Sequence, residues 1–476
     1  MKGLEVSIVP LSYARQNNDV FRFDSNYFQK KFLLEESIIR SRNHVILENL
    51  GVDIKSFGAY SLNNEVNYLD KGIPFIRGVN MKKGRVSFTD MIYIDENANS
   101  LLWKSEVKPG MILLSMSGTI GDVALASDRW QYPINSNQDI AKIDTKGQIN
   151  PYYLYAFLMS EFGQNYLKRE TRGSVQQHVF LSQIELFEIP VPSKELCMTV
   201  EKIIKSSDEA MFQSEEVYQQ AEDILTEVIG LKNYEISKES TNVKSLSNSF
   251  FTSGRLDAEY YQPKYEEIEN RIKYNNEWNT IGNLLEKIDT GEYSPEYFKK
   301  GEIEGLTFYI RSTNIKNGQI EFDDDYYVKK DNFVRKAKEG DIVTARVGSV
   351  GIFGEIRKEL QDSVYSDNVL SFRLPKKFIP SVYTLLFNSK FYFELIDRLA
   401  RGSVQQRLNQ ETLKDLIIPI IPYNVQEHIA ALIEESFSLK KYSETLLETA
   451  KNAVEISIEQ DEASAISFID KYYTHA

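Results

Sequence analysis

Arg172-Gly-Ser-Val-Gln-Gln177 recurs unchanged as Arg401-Gly-Ser-Val-Gln-Gln406, 229 residues later. Its flanks repeat with it. Upstream, Arg22-Phe-Asp24-Ser-Asn-Tyr27-Phe28-Gln29 matches Arg255-Leu-Asp257-Ala-Glu-Tyr260-Tyr261-Gln262. Phe75-Ile-Arg77-Gly-Val-Asn80 with Gly84 matches Tyr309-Ile-Arg311-Ser-Thr-Asn314 with Gly318. Gly110-Met-Ile-Leu-Leu, followed by Gly118 and Gly121, matches Gly340-Asp-Ile-Val-Thr, followed by Gly348 and Gly351. Downstream, Phe187-Glu-Ile-Pro190-Val-Pro192 matches Leu416-Ile-Ile-Pro419-Ile-Ile-Pro422. The offsets stay between 229 and 234, so one unit of roughly 230 residues is written twice. That is too long for a solenoid repeat, and each copy reads as a domain with an appendage.

Asp24 and Asp257 stand where N-caps of a short opening helix belong. The alternation in Gly110–Ser115 and Asp341–Ala345 predicts strands bounded by glycine turns. After Pro151 and Pro380 the sequence predicts an apolar, aromatic-rich helix running to each Arg-Gly-Ser loop. Both blocks are therefore expected to be mixed α/β.

Two proline-free stretches, 194–230 and 424–459, carry helical periodicity. In the first, Ile204, Met211, Tyr218 and Leu225 recur every seven residues, with Ser207, Ser214 and Ala221 between them. In the second, Ile433, Lys440, Leu447 and Val454 recur likewise, with Ser436, Ser443 and Ala450 between them. Heptads predict a pairing seam, and small side chains permit close approach. A 37-residue helix would span about 55 Å. The expected fold is α+β: two tandem mixed α/β domains separated by two long helices forming an antiparallel coiled coil. The alternative is two amphipathic helices, each lying on its own domain. The expected divisions are a domain at 1–192, a helix at 193–232, a second domain at 233–422, a helix at 423–460 and a tail at 461–476.

The net charge is −13, but its distribution is uneven. Residues 1–192 are neutral and 233–422 carry −2, whereas 193–232 and 423–476 carry −5 and −6. A neutral block can still present one basic face, and an ordinary acidic protein fits equally well. The lone Cys197 has no internal partner for a disulfide, in keeping with a reducing cytosol. No long apolar run predicts a membrane span or signal peptide.

Catalytic signatures are weak. Asn150-Pro151-Tyr152-Tyr153 lacks the second proline of an adenine-methyltransferase loop and reads as a helix start. Gly348-Ser-Val-Gly351-Ile-Phe-Gly354 lacks dinucleotide spacing. Glu106-Val-Lys108 faces Lys336-Ala-Lys338 in the second copy, which removes the carboxylate of a nuclease motif. Asp323-Asp-Asp325 reads as a solvated charge run. No metal site and no catalytic residues are expected in this chain.

The duplicated domain, the helix after each copy, Arg255-Leu-Asp-Ala-Glu-Tyr-Tyr261, Gly110-Met-Ile-Leu-Leu-Ser115, and Arg-Gly-Ser-Val-Gln-Gln before Ile-Pro-x-Pro together resemble the type I restriction–modification specificity subunit, the HsdS family. The resemblance spans about residues 20–458. The first copy departs from the more usual form at Phe23-Asp-Ser-Asn-Tyr27, which leaves its start open. The resemblance implies two target-recognition domains, each reading half of a bipartite double-stranded DNA site. It implies that the helices set the gap and dock two adenine-N6 methyltransferase subunits, that a motor-nuclease subunit joins them, and that S-adenosylmethionine belongs to the methyltransferases. A coiled-coil scaffold or decoy that binds methyltransferases without touching DNA is the alternative.

Base edges are read by forked or amide side chains, phosphates by cations, hydroxyls and backbone N–H groups. The repeated loops offer Arg172, Ser174, Gln176 and Gln177, and Arg401, Ser403, Gln405 and Gln406. Being identical, they cannot distinguish two half-sites, so they are either backbone contacts or structural junctions. Ser117, Thr119 and Ser349 pose the same choice. Arg77 with Asn80, and Arg311 with Asn314, are further candidates. Sequence readers are expected where the copies diverge, as at Lys82, Lys83, Arg85 and Arg346.

Overall fold

The computed structural model describes residues 6–16, 22–56, 66–173, 177–348, 350–400 and 407–473. It divides into two compact units, Met1–Phe212 with Leu439–Ala476, and Gln213–Ser438. The division falls inside both long helices, Lys194–Val228 and Tyr423–Glu459. The cause is where their apolar residues go. Leu196, Val200, Ile203 and Ile204 share a core with Leu446, Ala450, Val454 and Ile458, whereas Ala221, Leu225 and Ile229 share another with Ile429 and Ile433.

The first unit contains β1 (His44–Ile46), β2 (Asp53–Lys55), β3 (Ile73–Ile76), β4 (Met81–Lys82), β5 (Arg85–Val86), β6 (Ile92–Ile94), β7 (Ile112–Ser115), β8 (Val123–Leu125), β9 (Asn135–Ser136), β10 (Ile140–Asp144) and β11 (Glu188–Pro190). Strands β2-β10-β7-β8 form an antiparallel sheet. Strands β6-β3-β9 form another, with β3 and β9 parallel. Strands β4 and β5 make a hairpin, and β1 pairs with β11.

The second unit repeats this as β12 (Trp278–Thr280), β13 (Lys287–Thr290), β14 (Leu306–Ile310), β15 (Ile315–Lys316), β16 (Gln319–Ile320), β17 (Tyr327–Lys329), β18 (Ile342–Ala345), β19 (Phe353–Glu355), β20 (Val364–Tyr365), β21 (Val369–Arg373) and β22 (Ile417–Pro419). Strand for strand, the sheets are β13-β21-β18-β19, β17-β14-β20, β15-β16 and β12-β22, and β14 again runs parallel to β20.

Alternation explains the layering, because successive strand residues face opposite sides. On β7, Ile112 and Leu114 pack toward the helices while Leu113 packs toward the β6-β3-β9 sheet. On β18, Ile342 packs toward the helices and Val343 toward the outer sheet. Each unit is thus a central four-stranded sheet with helices on one face and a smaller outer β lobe on the other.

Several local expectations are corrected. The helix after each proline divides in two, Pro151–Met159 with Glu161–Glu170, and Pro380–Asn388 with Lys390–Leu399. The dividing residues Ser160 and Ser389 cap the second helix, accepting from the Gly163 and Tyr392 amides. Asp24 and Asp257 open short turns ahead of the longer helices, which start after Gln29 and Gln262. Asp24 Oδ1 accepts from the Tyr27 N–H at 3.1 Å, whereas Asp257 is the N-cap residue of the 3-10 helix Ala258–Tyr261 without a side-chain bond to it. Both carboxylates also bind arginines, Arg22 and Arg255 respectively. The segment after the second long helix is a helix, Glu462–Tyr473, because Ala465 and Ile469 reach the first core. Among the described residues no helix is long and apolar enough to cross a membrane.

One polar contact between the layers is swapped between copies. In the first unit, buried Lys142 on β10 donates to Ser136 Oγ on β9 at 3.1 Å. At the matching positions the second unit has Ser371 and Tyr365, so the long and short partners exchange strands. Burial with no carboxylate beside it lowers the Lys142 ammonium to about 7. The folded state therefore holds a lysine that the unfolded chain protonates more readily. That penalty is full below pH 7 and is relieved as pH rises toward the ordinary lysine value. Lys142→Met is expected to raise Tm most at pH 7 and below, by roughly 2–4 °C per kcal/mol removed. The gain should shrink by pH 10, as thermal melts across this range will show.

Candidate nucleic-acid interface

The repeated Arg-x-Asp-x-x-Tyr segments brace the helices that lead into the Arg-Gly-Ser loops. Arg169, one-twentieth exposed, donates to Glu36 Oε2 at 3.0 Å and to the Tyr27 carbonyl at 3.0 Å, and its guanidinium lies over the Tyr27 ring. Arg22 covers the same ring and bonds Asp24 and the Arg169 carbonyl. In the second unit Arg398 bonds the Tyr260 carbonyl and Glu269, and Tyr260 lies against both Arg398 and Arg255. Sequence reading missed Arg169 and Arg398, although they stand at the 229-residue offset that marks the loops.

Beyond these braces, the first unit gathers three of the expected segments along one edge. Arg172 and His178 exchange backbone hydrogen bonds, closing the base of the Arg-Gly-Ser loop. Val179 then donates to the Met116 carbonyl, and Ser117 bridges to His178, so this loop abuts the turn after β7. Thr119 Oγ1 in that turn reaches the Gly78 carbonyl at 3.4 Å, which brings in the Arg77–Asn80 turn. Thr119 and Gln177 are exposed, and Arg77 and Arg172 half-buried. The second unit follows suit. Leu408 donates to the Arg346 carbonyl, Arg346 to the Asn368 carbonyl, and Ser366 to the Ile310 carbonyl beside Arg311. Ser174, Gln176, Ser349, Arg401, Ser403, Gln405 and Gln406 lie outside the described residues.

Four expected contacts are corrected. Asn80 and Asn314 are buried, and their amide oxygens accept from the Arg77 and Arg311 backbone N–H at 3.1 and 2.9 Å. They cap turns, and their burial keeps their amides from a base edge. Ser117 is buried at the loop junction. Arg85 points at the long helices, where one of its terminal nitrogens donates to Ser207 Oγ and Ser443 Oγ, both at 2.6 Å. Lys82 and Lys83 are exposed on that same hairpin. The hairpin is thus a helix contact, which its divergence between the copies did not reveal.

The arginines are also partly committed. Arg77 donates to the Asp90 carbonyl. Arg311 pairs with Asp323 at 2.6 Å and stacks on Tyr326, and Arg346 reaches the Asp367 carbonyl. Beside Arg311 opens a groove of about 750 Å³ lined by Lys300, Thr313, Glu321, Phe322, Asp323 and Asp324. Part of its lining repeats between the copies and part does not. Arg311, Asn314, Phe322 and Asp324 answer to Arg77, Asn80, Phe88 and Asp90, whereas Thr313, Glu321 and Asp323 replace Val79, Ser87 and Thr89. Such a lining offers different donors and acceptors on one frame, which is the requirement for reading two different base sequences. The three aspartates 323–325 each pair with a cation, Arg311, Lys300 or Lys299. Among the described residues no cluster of three or more His, Cys, Asp or Glu could hold a metal.

On the long helices, Ile204, Ser207, Ser214, Ala221, Leu225, Ile433, Ser436, Ser443, Leu447, Ala450 and Val454 are buried, and Met211 and Tyr218 partly so. In the first unit Ser207 and Ser443 each donate to the other's carbonyl, and in the second Ser214 and Ser436 do the same. Such reciprocal bonds need helix backbones in close contact, and only small side chains permit that. The 229-residue offset turns Ser207 into Ser436 and Ser214 into Ser443, so each pair is the repeat image of the other.

Comparison with known proteins agrees with this organisation. The family described as "Type I restriction modification DNA specificity domain" matches residues 52–209 and 272–454. The StySPI specificity subunit of Salmonella potsdam is 21% identical over 416 residues, covering 83% of this chain and 81% of the relative. The EcoKI specificity subunit of Escherichia coli K12 is 19% identical, with 83% and 81% covered. The S subunit structure from M. genitalium aligns over 90% of this chain and 95% of its own at 12% identity, with a TM-score of 0.40. With two matching regions covering more than half its length, the chain belongs to the type I restriction–modification DNA specificity family.

Proposed function

We propose that this chain is the sequence-reading subunit of a type I restriction–modification complex, each recognition domain contacting one half of a bipartite double-stranded DNA site. The observation that carries this is the pairing of a repeated frame with divergent positions in the groove lining. Every described strand of the first unit has a mate with the same pairing in the second, while residues 79, 87 and 89 differ from 313, 321 and 323. A scaffold that never touched DNA would have no use for that division. The exposed Thr119 and the loop bases at Arg172 and Arg407 supply hydroxyl, guanidinium and backbone groups of the kind that hold phosphates.

The repeated braces around Tyr27 and Tyr260 present the same chemistry twice, which suits two identical methyltransferase subunits, with a motor-nuclease subunit joining them. S-adenosylmethionine and catalysis belong to those partners, this chain being non-catalytic, and the assembly works in the cytoplasm. Near-neutral recognition blocks imply weak DNA affinity without the partners, since phosphate neutralisation dominates affinity. The test is a genome-wide map of methylated adenines in a host given this chain with its methyltransferase. One split motif is expected, and no new motif is the result that would sink the proposal.

A further inference from the structure

The outer β lobe of the first unit carries the divergent positions 79, 87 and 89, and it rests on the central sheet through a small core of its own. Its hairpin reaches past that sheet to the helices. At the hairpin tip Gly84 lies against Tyr155, Met159 and Leu447, and Tyr155 donates its hydroxyl hydrogen to the Gly84 carbonyl. The next residue, Arg85, bridges Ser207 and Ser443, one from each helix. Its Nε is buried and has no hydrogen-bond partner, so the two serines are the polar contacts that hold this charge in place. A second contact comes from the segment after β8, where Arg129 meets Glu209 and lies over the Phe212 ring. The second unit uses different means. Gln319 stands at the position of Arg85, its hairpin tip Gly318 lies against Phe437, and Arg357 bonds Glu434 and covers the Phe437 ring.

We infer that Arg85 is a positioning residue that fixes the reach of the first reading lobe, and with it the gap accepted between the two half-sites. The inference rests on the DNA-reading proposal above. A base pair advances the duplex by about 3.4 Å, so a lobe free to tilt by a few ångströms meets its half-site one step early or late. A guanidinium bonded to both helices at once resists that tilt, and binding constellations tolerate only about 0.5 Å of play. The identity of the half-site is read by other residues and does not depend on Arg85.

The experiment compares wild-type, Arg85→Leu and Ser207→Ala/Ser443→Ala proteins. Each is bound with its methyltransferase to DNA duplexes whose gap is native, one base pair shorter or one longer, and each is also mapped for methylated adenines. The serine double variant removes the acceptors and, with them, the reciprocal serine bonds between the helices. Arg85→Gln, the residue that the second copy carries at this position, is therefore compared beside it and answers the question even if Arg85→Leu fails to fold. Expected is an unchanged pair of half-sites with preference for the native gap reduced about tenfold, the scale of one charge-assisted hydrogen bond. Full gap stringency in folded variants, or altered half-sites, would overturn the inference. If the wild type methylates no split motif, it is the DNA-reading proposal that fails.

Discussion

Arg169→Ala is expected to destabilise the first unit by about 3–5 kcal/mol, the usual cost of stranding one member of a buried ion pair. Arg169 and Glu36 are each one-twentieth exposed. Without the guanidinium, Glu36 keeps Arg40 and the Tyr13 hydroxyl, and the Tyr27 ring keeps Arg22 but loses the nearer of its two cations. The matching change, Arg398→Ala, is expected to cost less, about 1–2 kcal/mol, because Glu269 is 28% exposed and retains Lys273. Thermal melts of the whole chain should show the first unit's transition falling by roughly 6–20 °C. Equal losses for both variants would mean that burial is not what sets the cost.

Gly84→Val and Gly318→Val form the second pair. Both glycines have a left-handed backbone, with φ of 82° and 80°. The conformational penalty of about 1–2 kcal/mol is therefore common to the two. Their surroundings differ. A Cβ at Gly84 would lie 2.7 to 2.9 Å from Met159, Tyr155 and Leu447, whereas at Gly318 the nearest atom, on Phe437, is 3.2 Å away. Overpacking adds about 1–3 kcal/mol at the first site and little at the second. Urea denaturation should give a loss near 3 kcal/mol for Gly84→Val and about half that for Gly318→Val. The difference between them measures how tightly the first hairpin is seated on the helices.

The duplicated frame was legible because a repeat reports itself: β7 and β18, the two long helices and the buried serines follow from spacing alone. What was not legible depends on which of two physically similar jobs a residue performs. Asn80 and Asn314 have the amide that adenine recognition needs, but the same amide caps turns, and nothing in linear order separates the two uses. Asp24 and Asp257 do open short turns as their N-cap pattern implies, but that an arginine two residues earlier would also hold each carboxylate was not legible. Arg85 looked like a groove cation because it lies in a basic, divergent hairpin. Its target, a serine on each helix, stands 122 residues away in one case and 358 in the other. Arg169 and Arg398 were within reach, since they keep the repeat offset; their pairing with Tyr27 and Tyr260 was not.

The central claim is that an unchanging frame holds two independent readers. The most direct measurement exchanges residues 44–190, from β1 to β11, for the corresponding segment of another family member and maps methylated adenines with the native methyltransferase present. The account predicts a split motif in which one half takes the donor's sequence while the other half stays as in the wild type. A motif in which both halves change together, or in which neither changes, would contradict it.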